Sequence, residues 1–161
     1  MQDDWQYFLE QQSANINDSI LPDFGDPVEE QTFALSDNTM TDLSHLDVLK
    51  ISGQNAGSFL HGQFSSDVAC LAERELQMSS WCNIKGRVIA SFILYRSRDC
   101  FYLLLERNIS EMVSKRLQMF VMRSDVSISN QSDDLIRIGI RGESIHEQLD
   151  LVSNIEHTLL P

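Results

Sequence analysis

The chain has 161 residues, of which 42% are hydrophobic, and a formal net charge of −12. That length supports one domain with a real core and additional structure, and no apolar run is long enough to predict a membrane span. The opening Met1-Gln2-Asp3-Asp4-Trp5 lacks the basic and apolar regions of a signal peptide, and Cys70, Cys82 and Cys100 lack the spacing of a disulfide framework or zinc site, so a soluble cytoplasmic protein without a metal is expected.

The charge is unevenly spread. Residues 1–49 hold eleven acids and no Lys or Arg, whereas Arg74–Arg123 hold nine bases against four acids. The basic middle reads either as a site for an anionic ligand or as a solvated face. It forms no dense stripe, and the acidic whole repels phosphates, so direct nucleic-acid binding is not expected.

In chain order, residues 1–43 read as an acidic N-terminal extension. Trp5, Tyr7, Phe8 and Leu9 predict a short amphipathic helix, and turn residues at Asn15, Asn17, Pro22, Gly25 and Pro27 predict an extended, partly ordered remainder. A lobe follows over 44–131. Leu46–Ile51 alternates as a strand, Asn55–His61 reads as a short helix, and Gly62–Val68 as a polar loop. Strands are predicted at Leu76–Asn83, Arg87–Tyr95 and Cys100–Glu106. A helix over Ile109–Val121 would be capped by Asn108, with Glu111 completing a capping box. A strand at Val126–Ser129 closes the order β-α-β-β-β-α-β, an α+β, ferredoxin-like βαββαβ lobe. Residues 132–161 then repeat a strand, Leu135–Ile140, and a helix, Ser144–Leu151, as the start of a second, incomplete lobe.

The chemistry-bearing residues concentrate around Trp81–Phe92. Asn83 and Gly86 suit a tight hairpin turn, and Lys85 and Arg87 place two cations on it, either to hold an anion or as a solvated tip. Asp67 and Gln63 read either as hydrogen-bonding groups for a ligand or as turn and helix caps. His61 reads as a packing or capping residue, Cys82 as a small strand residue beside the turn, and Lys115, Arg116 and Arg123 as a solvated helix face.

Three segments taken together carry a resemblance: Phe59-Leu60-His61-Gly62-Gln63-Phe64-Ser65-Ser66-Asp67-Val68, the Asn83-x-Lys85-Gly86-Arg87 turn, and Lys115–Ser124. Over about Asp42–Ser129 the chain resembles the YgfZ-type folate-binding proteins, relatives of the glycine-cleavage T-protein, an aminomethyltransferase. The resemblance implies the aminomethyltransferase folate-binding fold, whose lobes surround a channel for tetrahydrofolate or a one-carbon derivative. It also implies a role in iron–sulfur cluster assembly or repair and in maintaining iron–sulfur enzymes that thiolate tRNA. The cofactor-binding residues it implies are Gln63, Ser66, Asp67, Asn83, Lys85, Arg87 and Glu106. Asp67 would then face a pterin ring, and Lys85 and Arg87 the glutamate tail of a folate.

Two departures qualify that reading. The Lys-Gly-Cys motif of the YgfZ type is missing, because Lys85-Gly86 is followed by Arg87, so the chain is expected to be an N-terminal portion or a truncated product. The acidic pair that the transferase branch carries after the turn is matched by Ala90 and Ser91, and the Asn that ends its next strand is matched by Glu106. Neither Ala nor Ser can act as a carboxylate base, so a non-catalytic folate-binding accessory protein is expected. The alternatives are a folate-dependent aminomethyltransferase using Glu106 or Asp67, and a ligand-free protein-interaction fragment that forms a homodimer through the Ile136-Ile138-Ile140 strand.

Overall fold

A computed structural model of the chain describes residues 3–17, 20–34 and 38–142. In chain order the elements are α1 (Asp3–Gln11), β1 (Asn15–Asn17), β2 (Ile20–Asp23), α2 (Pro27–Phe33), β3 (Thr39–Asp42), β4 (Leu46–Ser52) and α3 (Ala56–Gln63). After a 3-10 turn at Val68–Cys70 come β5 (Leu76–Cys82), β6 (Val88–Ser97), β7 (Cys100–Glu106), α4 (Arg107–Val121), β8 (Ser127–Asn130) and β9 (Ile138–Arg141). The chain divides into two compact units, one of Leu46–Ser132 and one containing the described residues up to His45 and from Asp133 onward.

In the unit of Leu46–Ser132, five antiparallel strands lie in the order β5-β6-β7-β4-β8. Leaving out β5, the order β8-β4-β7-β6 is that of a ferredoxin-like βαββαβ lobe, with β5 added at one edge. Helices α3 and α4 cover one face. Alternation along each strand supplies the core there: Leu49 and Ile51, Ala90, Phe92 and Leu94, and Phe101, Leu103 and Leu105 are buried against Leu60, Val113 and Leu117 of the helices. The opposite face carries Met78, Ile93, Tyr95, Tyr102, Leu104 and Glu106, with the rings of Tyr95 and Tyr102 stacked at 6.2 Å.

Helix α4 begins at Arg107, ahead of the predicted Asn108 cap, and Glu106 at its start makes no side-chain cap bond. Asp47 of β4 instead holds side chains of its first turn. This carboxylate is only 6% exposed. It accepts from Arg107 Nε at 3.0 Å and from the Ser110 hydroxyl, and Asn130 Nδ2 lies at 3.5 Å. Glu111 turns instead to Lys115, one helical turn on.

The other unit is more regular than its composition predicts. Asp26-Pro27 starts α2 in the way a helix N-terminus requires: Asp26 Oδ1 accepts from Val28 N at 3.2 Å and Glu29 N at 3.0 Å, and Pro27 occupies the first turn. Glu30 reaches back to Phe24 N at 2.7 Å. β1 and β2 form a hairpin, and Trp5 Nε1 of α1 donates to Asp42 at 2.9 Å. β3 and β9, which the sequence places in separate regions, pair in one two-stranded sheet with Met40 opposite Ile140 and Asp42 opposite Ile138. The helix predicted at Ser144–Leu151 lies outside the described residues.

Candidate functional site

The β5–β6 turn is built around Asn83. Its backbone N–H donates to Arg87 O at 2.8 Å, and its carbonyl accepts from Gly86 N at 2.9 Å. Its side-chain Oδ1 accepts from Lys85 N at 2.9 Å and Arg87 N at 3.0 Å. Gly86 completes the reversal with φ of +74°, which a side chain would resist. A bulge precedes the turn, because Trp81 pairs with Ala90 while Cys82 pairs with Val88. The result is a rigid tip on which Lys85 and Arg87 are exposed and have no ion-pair partner among the described residues. Asn83 thus shapes the turn with its side chain, while Lys85 and Arg87 supply its charge.

The segment after α3 runs antiparallel along the outer edge of β5. Phe64 bridges Trp81, and Ser65 N donates to Ser80 O at 2.9 Å. Two serine pairs hold it: the hydroxyls of Ser65 and Ser80 lie 2.8 Å apart, and Ser66 donates to Ser79 at 2.7 Å while accepting from Gln77 Nε2 at 3.0 Å. Ser66 therefore spends its hydroxyl within the protein. Gln63, at the end of α3, is the residue of this segment nearest the turn and its side chain is half-buried.

Asp67 serves as a cap. It accepts from Ala69 N at 3.1 Å and Cys70 N at 3.3 Å, its Oδ2 accepts from the Cys70 thiol at 3.2 Å, and His61 Nδ1 lies 3.3 Å from Oδ1. The thiol's hydrogen bond, aided by the backbone N–H groups and His61 and opposed by desolvation, holds this carboxyl below its ordinary range. Asp67 in turn pushes the Cys70 thiol up, so the sulfur is kept protonated and weakly nucleophilic. His61 is exposed beside Asp67 and is not a packing residue.

Glu106 ends β7 opposite Leu46 and is exposed. Because β5 and β7 both run antiparallel to β6, Glu106 and the Asn83–Arg87 turn lie at the same end of the sheet. Ala90 and Ser91 fall on opposite faces: Ala90 is 3% exposed against the helices, and Ser91 is exposed opposite Ser80. Among the basic residues of α4, Lys115 pairs with Glu111, and Arg116 stacks 5.6 Å from the centre of the Trp81 ring, which Phe120 meets edge-on at 6.0 Å. Among the described residues no group of three or more His, Cys, Asp or Glu is placed to hold a metal ion, and no helix is long and apolar enough to cross a membrane.

Sequence reasoning missed the serine pairs and the Asp47 centre. The signal for the first was present as two Ser-Ser dipeptides, Ser65-Ser66 and Ser79-Ser80, flanking one strand edge. The second joins residues sixty or more positions apart, and no local pattern reports it.

Comparison with known proteins agrees with this architecture. The model of the GCVT N-terminal domain matches residues 24–158. An aminomethyltransferase of Lysinibacillus sphaericus is 28% identical over 121 residues, covering 71% of this chain and 32% of its own length. A tRNA-modifying protein YgfZ of Vibrio atlanticus is 27% identical over 123 residues, covering 76% of this chain and 38% of its own. The crystal structure of glycine cleavage system aminomethyltransferase T from Bartonella henselae superposes with a TM-score of 0.76 at 16% identity, over 92% of this chain and 42% of that one. The chain thus spans roughly a third to two-fifths of the length of these relatives. With the family model covering most of its length and the fold superposing on that of the T-protein, the chain belongs to the GCVT N-terminal domain family, as a relative of the YgfZ type and of the T-protein.

Proposed function

We propose that the chain contributes a tetrahydrofolate-binding surface to an accessory protein of iron–sulfur cluster maintenance, one that serves enzymes such as those thiolating tRNA, in the cytoplasm, without catalysing one-carbon transfer. The observation that carries this reading is the rigid Asn83–Arg87 tip with two unpaired cations, in a family whose relatives bear the names aminomethyltransferase and tRNA-modifying protein YgfZ. The residues fit a folate unevenly. Lys85 and Arg87 suit the carboxylates of its glutamate tail through charge-assisted bonds. Gln63 and Glu106, whose side chains make no hydrogen bond among the described residues, suit the polar edge of a pterin, and Ser66 and Asp67 lie in the segment that would bound it. With Ala90 buried and Ser91 neutral, no carboxylate occupies the position where the transferase branch carries its acid.

Titration of the longest natural version with tetrahydrofolate tests the proposal, and the absence of saturable binding at high micromolar concentration refutes it. Replacing both Lys85 and Arg87 by Gln is expected to weaken tetrahydrofolate binding about tenfold, since exposed charge pairs contribute up to about 1 kcal/mol each. Binding of a reduced pterin that lacks the glutamate tail should be unchanged. Equal losses for both compounds would take the tail away from the turn. Folate-dependent release of a one-carbon unit by the wild type would turn the reading toward an aminomethyltransferase.

The β3–β9 sheet favours a second reading, self-association. Met40, Ile138 and Ile140 share one face of it and are 59%, 38% and 44% exposed. Two strands alone are marginal in water, and pairing with a second copy would extend them. The 161-residue protein is expected to sediment with a concentration-dependent, larger-than-monomer mass, and Ile140→Lys to restore the monomer. A wild type that stays monomeric at high concentration rules this out.

A further inference from the structure

We propose that Ser79 is a positioning residue for the ligand segment: the part-buried Ser66–Ser79 hydroxyl pair latches Gln63–Asp67 onto the edge of β5, and Ser66 acts on a folate through that segment, without touching it. The inference rests on the folate reading above for its binding readout, but the latch itself is a matter of geometry. Ser79 is 7% exposed and faces the helix-covered side of the sheet, away from solvent. Its hydroxyl takes the Ser66 proton at 2.7 Å, and Gln77 Nε2, two residues along the same strand, donates to Ser66 at 3.0 Å. The Ser66 oxygen thus has its donor and one acceptor site in use. On the other side of the same segment Ser65 closes a second contact with Ser80. The segment is held from both faces of the edge strand, beside the Phe64–Trp81 bridge and the one backbone bond from Ser65 N to Ser80 O. A buried hydroxyl left without its partner is costly, so loss of either member frees the other and loosens the segment that carries Gln63 and Asp67.

The experiment is a double-mutant cycle of Ser66→Ala, Ser79→Ala and the double variant, read by tetrahydrofolate affinity and by amide hydrogen exchange of Ser65. If the two hydroxyls act as one unit, each single variant and the double variant weaken binding by the same amount, about tenfold. Ser79→Thr, which keeps the hydroxyl, restores most of it, and the Ser65 amide exchanges faster in the Ala variants while the global unfolding midpoint moves little. Losses that multiply in the double variant would show that Ser66 contacts the ligand itself and overturn the proposal. An unchanged Ser65 exchange rate in Ser79→Ala would overturn it as well. If the wild type binds no folate, the functional reading fails separately, and faster Ser65 exchange in Ser79→Ala still supports the latch.

Discussion

Replacing Asp47 by Ala is expected to cost the Leu46–Ser132 unit about 3 kcal/mol, and to lower its thermal midpoint by more than about 10 °C. Asp47 is the one charged side chain buried among the described residues of this unit, and two separate parts of the chain converge on it: Arg107 and Ser110 from α4, and Asn130 and Ser132 at and just after the end of β8. Truncation takes the carboxylate away from the Arg107 guanidinium, itself only 22% exposed, and leaves the Ser110 hydroxyl only the Arg107 carbonyl at 3.0 Å as an acceptor. The cost of breaking a buried pair from one side exceeds the net worth of the pair, because the remaining partner stays desolvated. Arg107→Leu, which removes the other charge, should then be less damaging in the Asp47→Asn background than in the wild type. Additive losses by denaturant titration would show that the two side chains are not energetically joined.

The same carboxylate makes stability depend on acid in a defined direction. Burial raises the Asp47 pKa, but hydrogen bonds from Ser110, Arg107 and Ser132 and the guanidinium charge outweigh it and hold the group below the ordinary carboxylate range. A depressed folded value means that the unfolded chain takes up the proton first. The contribution is therefore fully present above the unfolded value, about 3.9 for Asp, and is lost as the pH falls through the lower folded value. The stability gap between wild type and Asp47→Ala should be widest near neutrality and narrow below about pH 4. A gap independent of pH would mean that Asp47 is not ionised in the folded protein.

What the sequence revealed and what it hid divide along chain distance. The alternation of Leu46–Ile51, Phe92–Leu94 and Phe101–Leu105 reports a one-sided sheet, because period two is a local property, and the strand and helix order followed from it. The turn was legible for the same reason: Asn83 and Gly86 satisfy its geometry within five residues. The start of α4 was misplaced by local reasoning, since Asn108 and Glu111 offer a capping pattern, whereas the helix begins at Arg107, whose side chain is held by an acid sixty residues away. The acidic front read as an extension because its composition is polar, although Asp26-Pro27 and Glu30 spell a helix start and β3 awaits a strand from beyond Ser132. At the site, the charges of Lys85 and Arg87 were readable, whereas the commitments of Ser66 and Asp67 to internal partners depend on which strand edge the segment lies against.

Gly53→Ala is expected to destabilise the same unit by about 3 kcal/mol, although it adds a single methyl group at an exposed position. Gly53 follows β4 with φ of +114°, where an L side chain is strained, and a Cβ there would stand 2.2 Å from Asp125 O and 2.8 Å from its carbonyl carbon. Those are backbone atoms that cannot swing aside. The close approach is what lets the two loops clamp each other: Asp125 O accepts from Asn55 N at 3.1 Å, Asp125 Oδ2 from Gln54 N at 3.1 Å, and Asn55 Oδ1 from Asp125 N at 3.0 Å. This also explains why Asn55, at the N-terminus of α3, makes no cap bond to its own helix. Separating the loops breaks all three contacts and displaces the entries to both α3 and β8. Asp125→Ala, by contrast, removes only the Gln54 bond and should cost about 1 kcal/mol. The two variants compared by chemical denaturation decide the matter: equal, small losses would mean that the loops can part without consequence, and a loss for Gly53→Ala several times that for Asp125→Ala places the constraint in the backbone, where no side-chain change elsewhere can relieve it.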